Sequence, residues 1–199
     1  MSTPSHNPPL TYLVRHGETA WTITRQHTGI TDLPLTPRGE LNARQLGQRL
    51  KNQTFTRVWT SPLQRAANTC KLAGFGAVAS IDPDLVEWNY GDYEGKTTDE
   101  IRRHRPGWDL FRDGSPNGES ISDVAARARR VIDRVRSTDG HTLLFSSSHF
   151  LRVLAACWLN LEPSAGRYFF LGTAAISIVG YEHYPVDPVI RMWNDCEGN

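Results

Sequence analysis

The sequence predicts an α/β fold, a three-layer sandwich in which helices flank both faces of a mostly parallel central sheet. Strand-like and helix-like segments alternate along the 199 residues, which is typical of parallel strands joined by helices. The length suits one domain with a sizeable core, and no internal repeat or linker divides it. We therefore expect a single domain over residues 10–199, preceded by a disordered tail at residues 1–9.

In the first half of the chain the alternation begins with a strand. The short apolar run at 10–14 predicts that this strand is buried. Thr36 and Pro37 predict the start of a helix, because threonine caps helices and proline suits their first position. The rest of this half is predicted to hold strands at 57–60 and 77–81, with a helix from Ser61-Pro62 to about Leu72 between them.

The second half continues the alternation after a loop. The segment 85–95 has neither a helical nor a strand period and predicts an ordered loop. Thr97 and Glu100 predict a capping box, and Ser120 is predicted to cap the most clearly amphipathic helix of the chain. The remaining elements are predicted as strands at 142–145, 175–180 and 189–193 and a helix at 150–159.

Composition and charge narrow the class of partner. The chain has 22 basic and 21 acidic residues, whereas nucleic-acid-binding domains usually carry a strong basic excess. No apolar stretch is long enough to span a bilayer, and the first residues show no secretory signal. The three cysteines are far apart, which indicates reduced thiols of a cytoplasmic protein. We expect a small-molecule partner, and neither nucleic acid, membrane, metal nor cofactor.

Two groups of residues point to a site for an anion. Arg15, His16 and Gly17 follow the first predicted strand, and reactive residues of open α/β sheets commonly lie beyond strand ends. Arginine offers a fork of donors, histidine a nucleophilic nitrogen, and glycine a close backbone approach. Arg65 falls in the first turn of the helix after the second strand, and such a helix end favours anions. Together they predict a site that holds a phosphate.

A resemblance to a known family extends this prediction over nearly the whole chain. Arg-His-Gly-Glu-Thr at 15–19 is followed, in order, by motifs at 27–29, 35–40, 61–66, 87–95 and 114–120. This set resembles the histidine phosphatase superfamily, the phosphoglycerate-mutase-like group, in its small phosphatase branch. The resemblance implies that family's fold and a phosphatase whose positive charge comes from arginines, without a metal.

The resemblance also implies a role for each matching residue. His16 would attack phosphorus and carry the phosphoryl group as a covalent intermediate. Arg15 and Arg65 would clamp the phosphoryl oxygens, while Glu87 would protonate the leaving alkoxide and then activate water. The residues expected to line the substrate site are Gly17, Thr22, Thr28, Gly29, Tyr90 and Ser148.

The chain departs from the family at the second catalytic histidine, which usually stands in Ser-His-Gly before His-Phe-Leu-Arg. Aligning His149 to Arg152 without a gap puts Ser147 in place of that histidine and Ser148 in place of the glycine. The alternative slips by two residues and makes His149 the second histidine. A serine hydroxyl carries no charge, and charge-assisted hydrogen bonds are about twice as strong as neutral ones. Turnover therefore depends on the register, whereas fold and anion binding do not.

Three functions follow from these residues. The first is a metal-independent phosphomonoesterase acting on a small phosphorylated metabolite, such as a sugar phosphate. The second is a repurposed site that uses Glu87 and His16 as acid and base in a dehydration or cyclisation. The third is a binder of phosphate ligands in which Arg15 and Arg65 hold the anion without turnover. A monomer and a homodimer are both compatible with the sequence.

Overall fold

The structure is a computed structural model that describes residues 8–196. Most of the predicted tail at 1–9, and residues 197–199 of the predicted domain, lie outside the described residues. The described strands are β1 (Thr11–Arg15), β2 (Arg57–Thr60), β3 (Ala79–Ile81), β4 (Thr142–Ser146), β5 (Ile176–Tyr181) and β6 (Pro188–Asp195). The described α-helices are α1 (Ala20–Thr24), α2 (Pro37–Leu50), α3 (Gln64–Leu72), α4 (Thr98–His104), α5 (Leu110–Asp113), α6 (Ile121–Arg136) and α7 (Ser148–Trp158).

The central sheet has the strand order β3-β2-β4-β1-β5-β6 within residues 8–196. The pairs β2–β3, β2–β4 and β1–β4 are parallel, and β5 and β6 add an antiparallel edge. β1 and β4 are buried along almost their whole length, as expected for strands covered on both faces. The predicted mostly parallel sheet is therefore confirmed.

Two cores cover the two faces of the sheet. Leu13 and Leu144 point into one core, which is built mainly with α6 and α7. Their strand neighbours Tyr12, Val14 and Leu143 point into the other core, with residues of α2 and α3. Alternate residues of one strand thus face opposite helical layers, as the period of a strand requires. The three-layer sandwich is confirmed.

Helix starts follow the predicted caps, with two exceptions. Thr36 caps α2, and Thr97 and Ser120 form capping boxes at α4 and α6. The predicted start at Ser61-Pro62 is wrong, since α3 begins at Gln64 and the Ser61 N–H still bonds to the sheet at Phe145. Helix α7 begins at Ser148, two residues before the predicted start. Its first N–H groups are bound by the carboxylate of Glu87, a residue distant in sequence.

No helix among residues 8–196 is long and apolar enough to cross a membrane.

Candidate active site

The carboxyl ends of the central strands bring the predicted site residues to one edge of the sheet. Arg15 pairs with Ser146 at the ends of β1 and β4, and the His16 N–H donates to the Ser146 carbonyl at 2.9 Å. A cavity of about 560 Å³ opens at this edge. The predicted site residues that line it are Arg15, His16, Thr22, Thr28, Glu87, Tyr90, Ser148 and His149. Four others lie outside its lining, namely Gly17, Gly29, Arg65 and Ser147.

His16 has one ring nitrogen available for attack. Its Nδ1 lies 2.8 Å from the Gly17 carbonyl, which can only accept, so Nδ1 carries the proton and Nε2 keeps a lone pair. The side chain is 3% exposed. Burial, and after it the positive charges of Arg65 and Arg15, hold the His16 pKa well below its usual value. The imidazole is therefore neutral, as a nucleophile must be.

Arg15 and Arg65 place fixed guanidinium groups next to His16. Arg15 donates to the Leu171 carbonyl at 2.6 Å. The Arg65 guanidinium donates to three backbone carbonyls at 2.7 to 3.1 Å, those of Thr28, Gly29 and Thr31. In both arginines Nε is buried and has no hydrogen-bond partner among residues 8–196. Unpaired donors on two guanidinium groups beside the same histidine suit an anion there.

At both glycines predicted for the site, Gly17 and Gly29, neighbouring backbone leaves no space for a side chain. A Cβ on Gly17 would lie 2.6 Å from the Gly39 carbonyl oxygen, so this position holds the loop after β1 against the start of α2. A Cβ on Gly29 would lie 2.5 Å from the Trp88 carbonyl oxygen. The Gly17 N–H donates to the Thr69 hydroxyl, which in turn donates to the Arg65 carbonyl. The glycine after the histidine thus ties its loop to α3, the helix that carries the second arginine.

Glu87 caps the helix that follows β4. Its Oε1 accepts from the N–H groups of Trp88 and Phe150, at 2.9 and 2.8 Å, and its Oε2 accepts from the His149 N–H at 3.0 Å. Glu87 is 4% exposed and lines the cavity. A carboxyl group at a helix N-terminus is favoured by the free N–H groups there, so three bonds fix its position in the cavity wall.

Ser147 directly follows β4, the strand that pairs with β1 before His16. It directly follows Ser146, whose carbonyl binds the His16 N–H, and it is the N-cap of α7. Its hydroxyl is buried, 1% of the residue is exposed, and Oγ has no hydrogen-bond partner within residues 8–196. Ser148 lines the cavity with its Oγ 3.5 Å from the Leu171 carbonyl oxygen. In the ungapped register, the position of the second histidine is therefore occupied by a buried hydroxyl that has no hydrogen-bond partner within residues 8–196.

The His149 side chain packs among the rings of Tyr90, His27 and Phe111. Its Nδ1 is 2.6 Å from the Tyr90 hydroxyl, and its ring centroid is 6.0 Å from that of His27 and 5.5 Å from that of Phe111. Burial, followed by the charge of Arg152, holds the His149 pKa well below its usual value. Burial lowers the His27 pKa to about 4. Both rings are therefore uncharged parts of the cavity wall.

Sequence reasoning missed several cavity residues. Arg152 stands in the quoted His-Phe-Leu-Arg segment, three residues after His149 and on the same helix face, so a signal for it was present. The loop at 170–173 and the side chains of Trp21 and Arg25 also line the cavity, but no sequence period marks them. Within residues 8–196, the side chains of His, Cys, Asp and Glu form no group of three that could hold a metal ion.

Comparison with known proteins gives one family. The model of the histidine phosphatase superfamily (branch 1) matches residues 11–196. An acid phosphatase of Mycobacterium tuberculosis is 39% identical over 177 residues, which are 86% of this chain and 86% of that protein. A sedoheptulose 1,7-bisphosphatase of Saccharomyces cerevisiae is 36% identical over 188 residues, 77% of this chain and 68% of that protein.

Among solved structures, the product of an open reading frame of Mycobacterium tuberculosis superposes with a TM-score of 0.89 at 34% identity. The match covers 95% of this chain and 98% of that one. Fold and sequence therefore agree on the same group of proteins.

Proposed function

Because the chain belongs to the histidine phosphatase superfamily and is a phosphoric monoester hydrolase of that family, we propose that it cleaves small phosphorylated metabolites through a phosphohistidine at His16. The observation that carries this proposal is the neutral, oriented His16, on which the charges of Arg65 and Arg15 act while both arginines keep an unpaired Nε. Such donors stabilise charge on a transferring phosphoryl group and need no metal ion to do so.

In the first step, the lone pair of His16 Nε2 forms a bond to phosphorus as the ester P–O bond breaks. Arg15 and Arg65 bind the phosphoryl oxygens during this transfer, and the Ser147 hydroxyl supplies one neutral donor. The leaving oxygen takes a proton from the carboxyl group of Glu87, which the N-terminus of α7 holds in the cavity wall.

In the second step, Glu87 takes a proton from a water molecule that attacks the phosphohistidine. The N–P bond breaks, inorganic phosphate leaves, and both His16 and the protonated Glu87 return to their starting forms. The same carboxyl group thus serves as acid and then as base, which requires the fixed position that its three backbone bonds give it.

The substrate class is inferred from the cavity and from the relatives. About 560 Å³ accommodates a metabolite of sugar-phosphate size, and one relative carries the name of a sugar bisphosphatase. The free thiols of Cys70, Cys157 and Cys196 support the cytoplasm as the place of action.

Turnover of phosphomonoesters tests the proposal. We expect the wild-type protein to release phosphate from a panel of sugar phosphates and from 4-nitrophenyl phosphate, and His16→Ala to abolish release. Arg65→Met should weaken phosphate binding and turnover together, since it removes a clamp. Phosphate binding without release from any substrate would contradict the proposal and favour a binding protein. Conversion of a phosphorylated substrate without loss of phosphate would favour the dehydration or cyclisation hypothesis.

A further inference from the structure

The loop at 170–173 lines the active-site cavity and binds one guanidinium group of the phosphoryl clamp. The Leu171 carbonyl accepts from Nη1 of Arg15 at 2.6 Å, which is the only hydrogen bond that this side chain makes to residues 8–196. An arginine carries its donors in a rigid fork, so an acceptor at one end of the fork decides where the other donors point. The direction of the Arg15 guanidinium therefore depends on the position of the Leu171 carbonyl.

Two side chains of β6 hold the loop on either side of Leu171. Trp193 Nε1 donates to the Phe170 carbonyl at 2.6 Å. The Gly172 N–H donates to Asn194 Oδ1, also at 2.6 Å. A group in an active site keeps a precise position only when neighbouring hydrogen bonds hold its support in place. The carbonyl between these two attachments is thus fixed by β6, a strand whose own side chains here do not line the cavity.

A bulge in β6 directs these two side chains toward the loop. β6 advances by three residues where β5 advances by two, between the pairs Ile176–Asp195 and Ile178–Met192. Trp193 and Asn194 therefore face the single Ser177, and the Asn194 N–H donates to the buried Ser177 hydroxyl at 3.0 Å. Asn194 has a φ of 57°, a left-handed conformation that asparagine adopts more readily than most residues. Bulges of this kind re-aim side chains next to active sites.

The end of β6 is itself anchored to the helical layer. Arg49 of α2 forms an ion pair with the Asp195 carboxylate and donates to the Asp195 carbonyl at 3.2 Å. The loop packs closely against this end, since a Cβ on Gly172 would lie 3.4 Å from Asn194 Oδ1 and 3.1 Å from Cys196 Sγ. The loop therefore rests on a strand that is held in place from its other side.

We propose that Asn194 is a positioning residue for the phosphoryl clamp, which holds the Arg15 guanidinium in its binding direction through Gly172 and the Leu171 carbonyl. Asn194 does not line the cavity and acts only through the loop. The role of Arg15 as a ligand of the phosphoryl oxygens rests on the proposed function. Without the Asn194 acceptor the loop is free to shift at Gly172, and the Leu171 carbonyl shifts with it. Small misplacements of a binding group are costly for the affinity of a transition state.

Vanadate binding, measured by calorimetry, tests this role without turnover. Vanadate is an oxyanion that mimics the transition state of phosphoryl transfer, and such analogues bind tightly enough for weakened variants to be measured. Asn194→Gly suits the left-handed backbone and removes only the side-chain acceptor. We expect it to weaken vanadate binding about tenfold, the lower end of the range for a hydrogen bond to a charged group. Asn194→Asp keeps an acceptor for the Gly172 N–H and should retain most of the affinity.

Asn160→Gly is the matched control. Asn160 follows the last turn of α7, has a φ of 58° and does not line the active-site cavity, so its replacement changes a similar backbone position without contact to the loop. We expect its vanadate affinity to equal that of the wild type. Thermal unfolding of each variant reports whether the protein is folded.

A double-mutant cycle with Arg15→Met separates positioning from general damage to the site. Once the guanidinium is gone, Asn194→Gly should change vanadate affinity by less than about twofold, because no clamp donor remains to be positioned. An equal effect of Asn194→Gly with and without Arg15, or unchanged affinity in a folded Asn194→Gly variant, would overturn the inference. If the cycle shows this coupling and the wild-type protein hydrolyses no phosphomonoester, the proposed function fails while the positioning role stands.

Discussion

At the scale of residues, the candidate site depends on which atoms of buried side chains remain free. His16 donates a hydrogen bond from Nδ1–H to the Gly17 carbonyl, which leaves the Nε2 lone pair for phosphorus. Because burial and the charges of two arginines hold its pKa well below the usual 6.5, its imidazole should not gain a proton as the pH falls through 6.5. NMR of the ring protons checks this prediction. A His16 signal that titrates with a midpoint near 6.5 would contradict it.

Ser147 is the residue that limits the predicted rate. It directly follows Ser146, whose carbonyl binds the His16 N–H, and its hydroxyl can donate one neutral hydrogen bond where a histidine could donate a charged one. Ser147→His combined with Ser148→Gly should raise kcat by about a hundredfold, the usual value of one such donor. Steady-state kinetics measures it, with thermal unfolding as the control for folding. An unchanged rate in a folded variant would indicate that His149 is the working residue.

Local motifs indicated most of the residues that meet at the cavity, but they did not indicate every contact that these residues make. Arg15, His16 and Glu87 meet at one cavity, as the family resemblance implied. Gly17 is expected to let the backbone approach an anion, and the structure gives this glycine a second reason, since a Cβ here would lie 2.6 Å from the Gly39 carbonyl oxygen. A sequence gives residue types and spacing, but it does not show which atom from a distant segment occupies the space beside a glycine.

At the scale of elements, the N-terminus of α7 connects stability to chemistry. Glu87→Gln keeps an acceptor for the backbone N–H groups but removes the acid, so we expect kcat to fall by about a hundredfold or more with a small loss of stability. Glu87→Ala should also lower the free energy of unfolding by about 1 kcal/mol, the typical value of a helix cap. Urea unfolding and kinetics of both variants separate the two effects. Equal stability of the two variants would contradict the capping role.

The same element shows why some boundaries were predicted wrongly. Thr36, Thr97 and Ser120 lie next to the helices they cap, so a short window of sequence predicts those starts. The N-cap residue of α7, Ser147, makes no capping bond with its side chain, and the first N–H groups of the helix are instead bound by Glu87, about sixty residues earlier in the chain. A helix start that depends on tertiary structure has no local signal.

At the scale of the whole molecule, one buried and two half-buried histidines are held in neutral form around one cavity. The pKa of His27 is about 4 in the fold because of burial, and burial also lowers the pKa values of His16 and His149. In the unfolded chain these groups bind protons below about pH 6.5. Acidification from pH 6.5 to pH 4 therefore favours unfolding, by up to about 1.4 kcal/mol per pH unit for each group.

Urea unfolding at several pH values between 7 and 4 measures this loss of stability. In His27→Gln the fall in the free energy of unfolding with pH should be shallower, because one of the neutral histidines is gone. A variant with the same pH dependence as the wild type would exclude the contribution of His27.

The fold itself was predictable at this largest scale because it depends on a pattern repeated many times. Alternating strands and helices indicated a parallel sheet with helices on both sides, and the two cores on either face confirm it. The position of the short edge strand β3 and the antiparallel strands β5 and β6 depends on pairings between distant segments. Such pairings are set by packing, which periodicity does not record.

The central claim, that His16 carries the phosphoryl group, is tested most directly by trapping the intermediate. The wild-type protein is mixed with a phosphomonoester, quenched in alkali and digested, and phosphopeptides are identified by mass spectrometry. We predict an acid-labile phosphoryl group on the peptide that contains His16, absent in His16→Ala. Turnover with no phosphate on His16, or with the phosphate on His149 instead, would contradict the account.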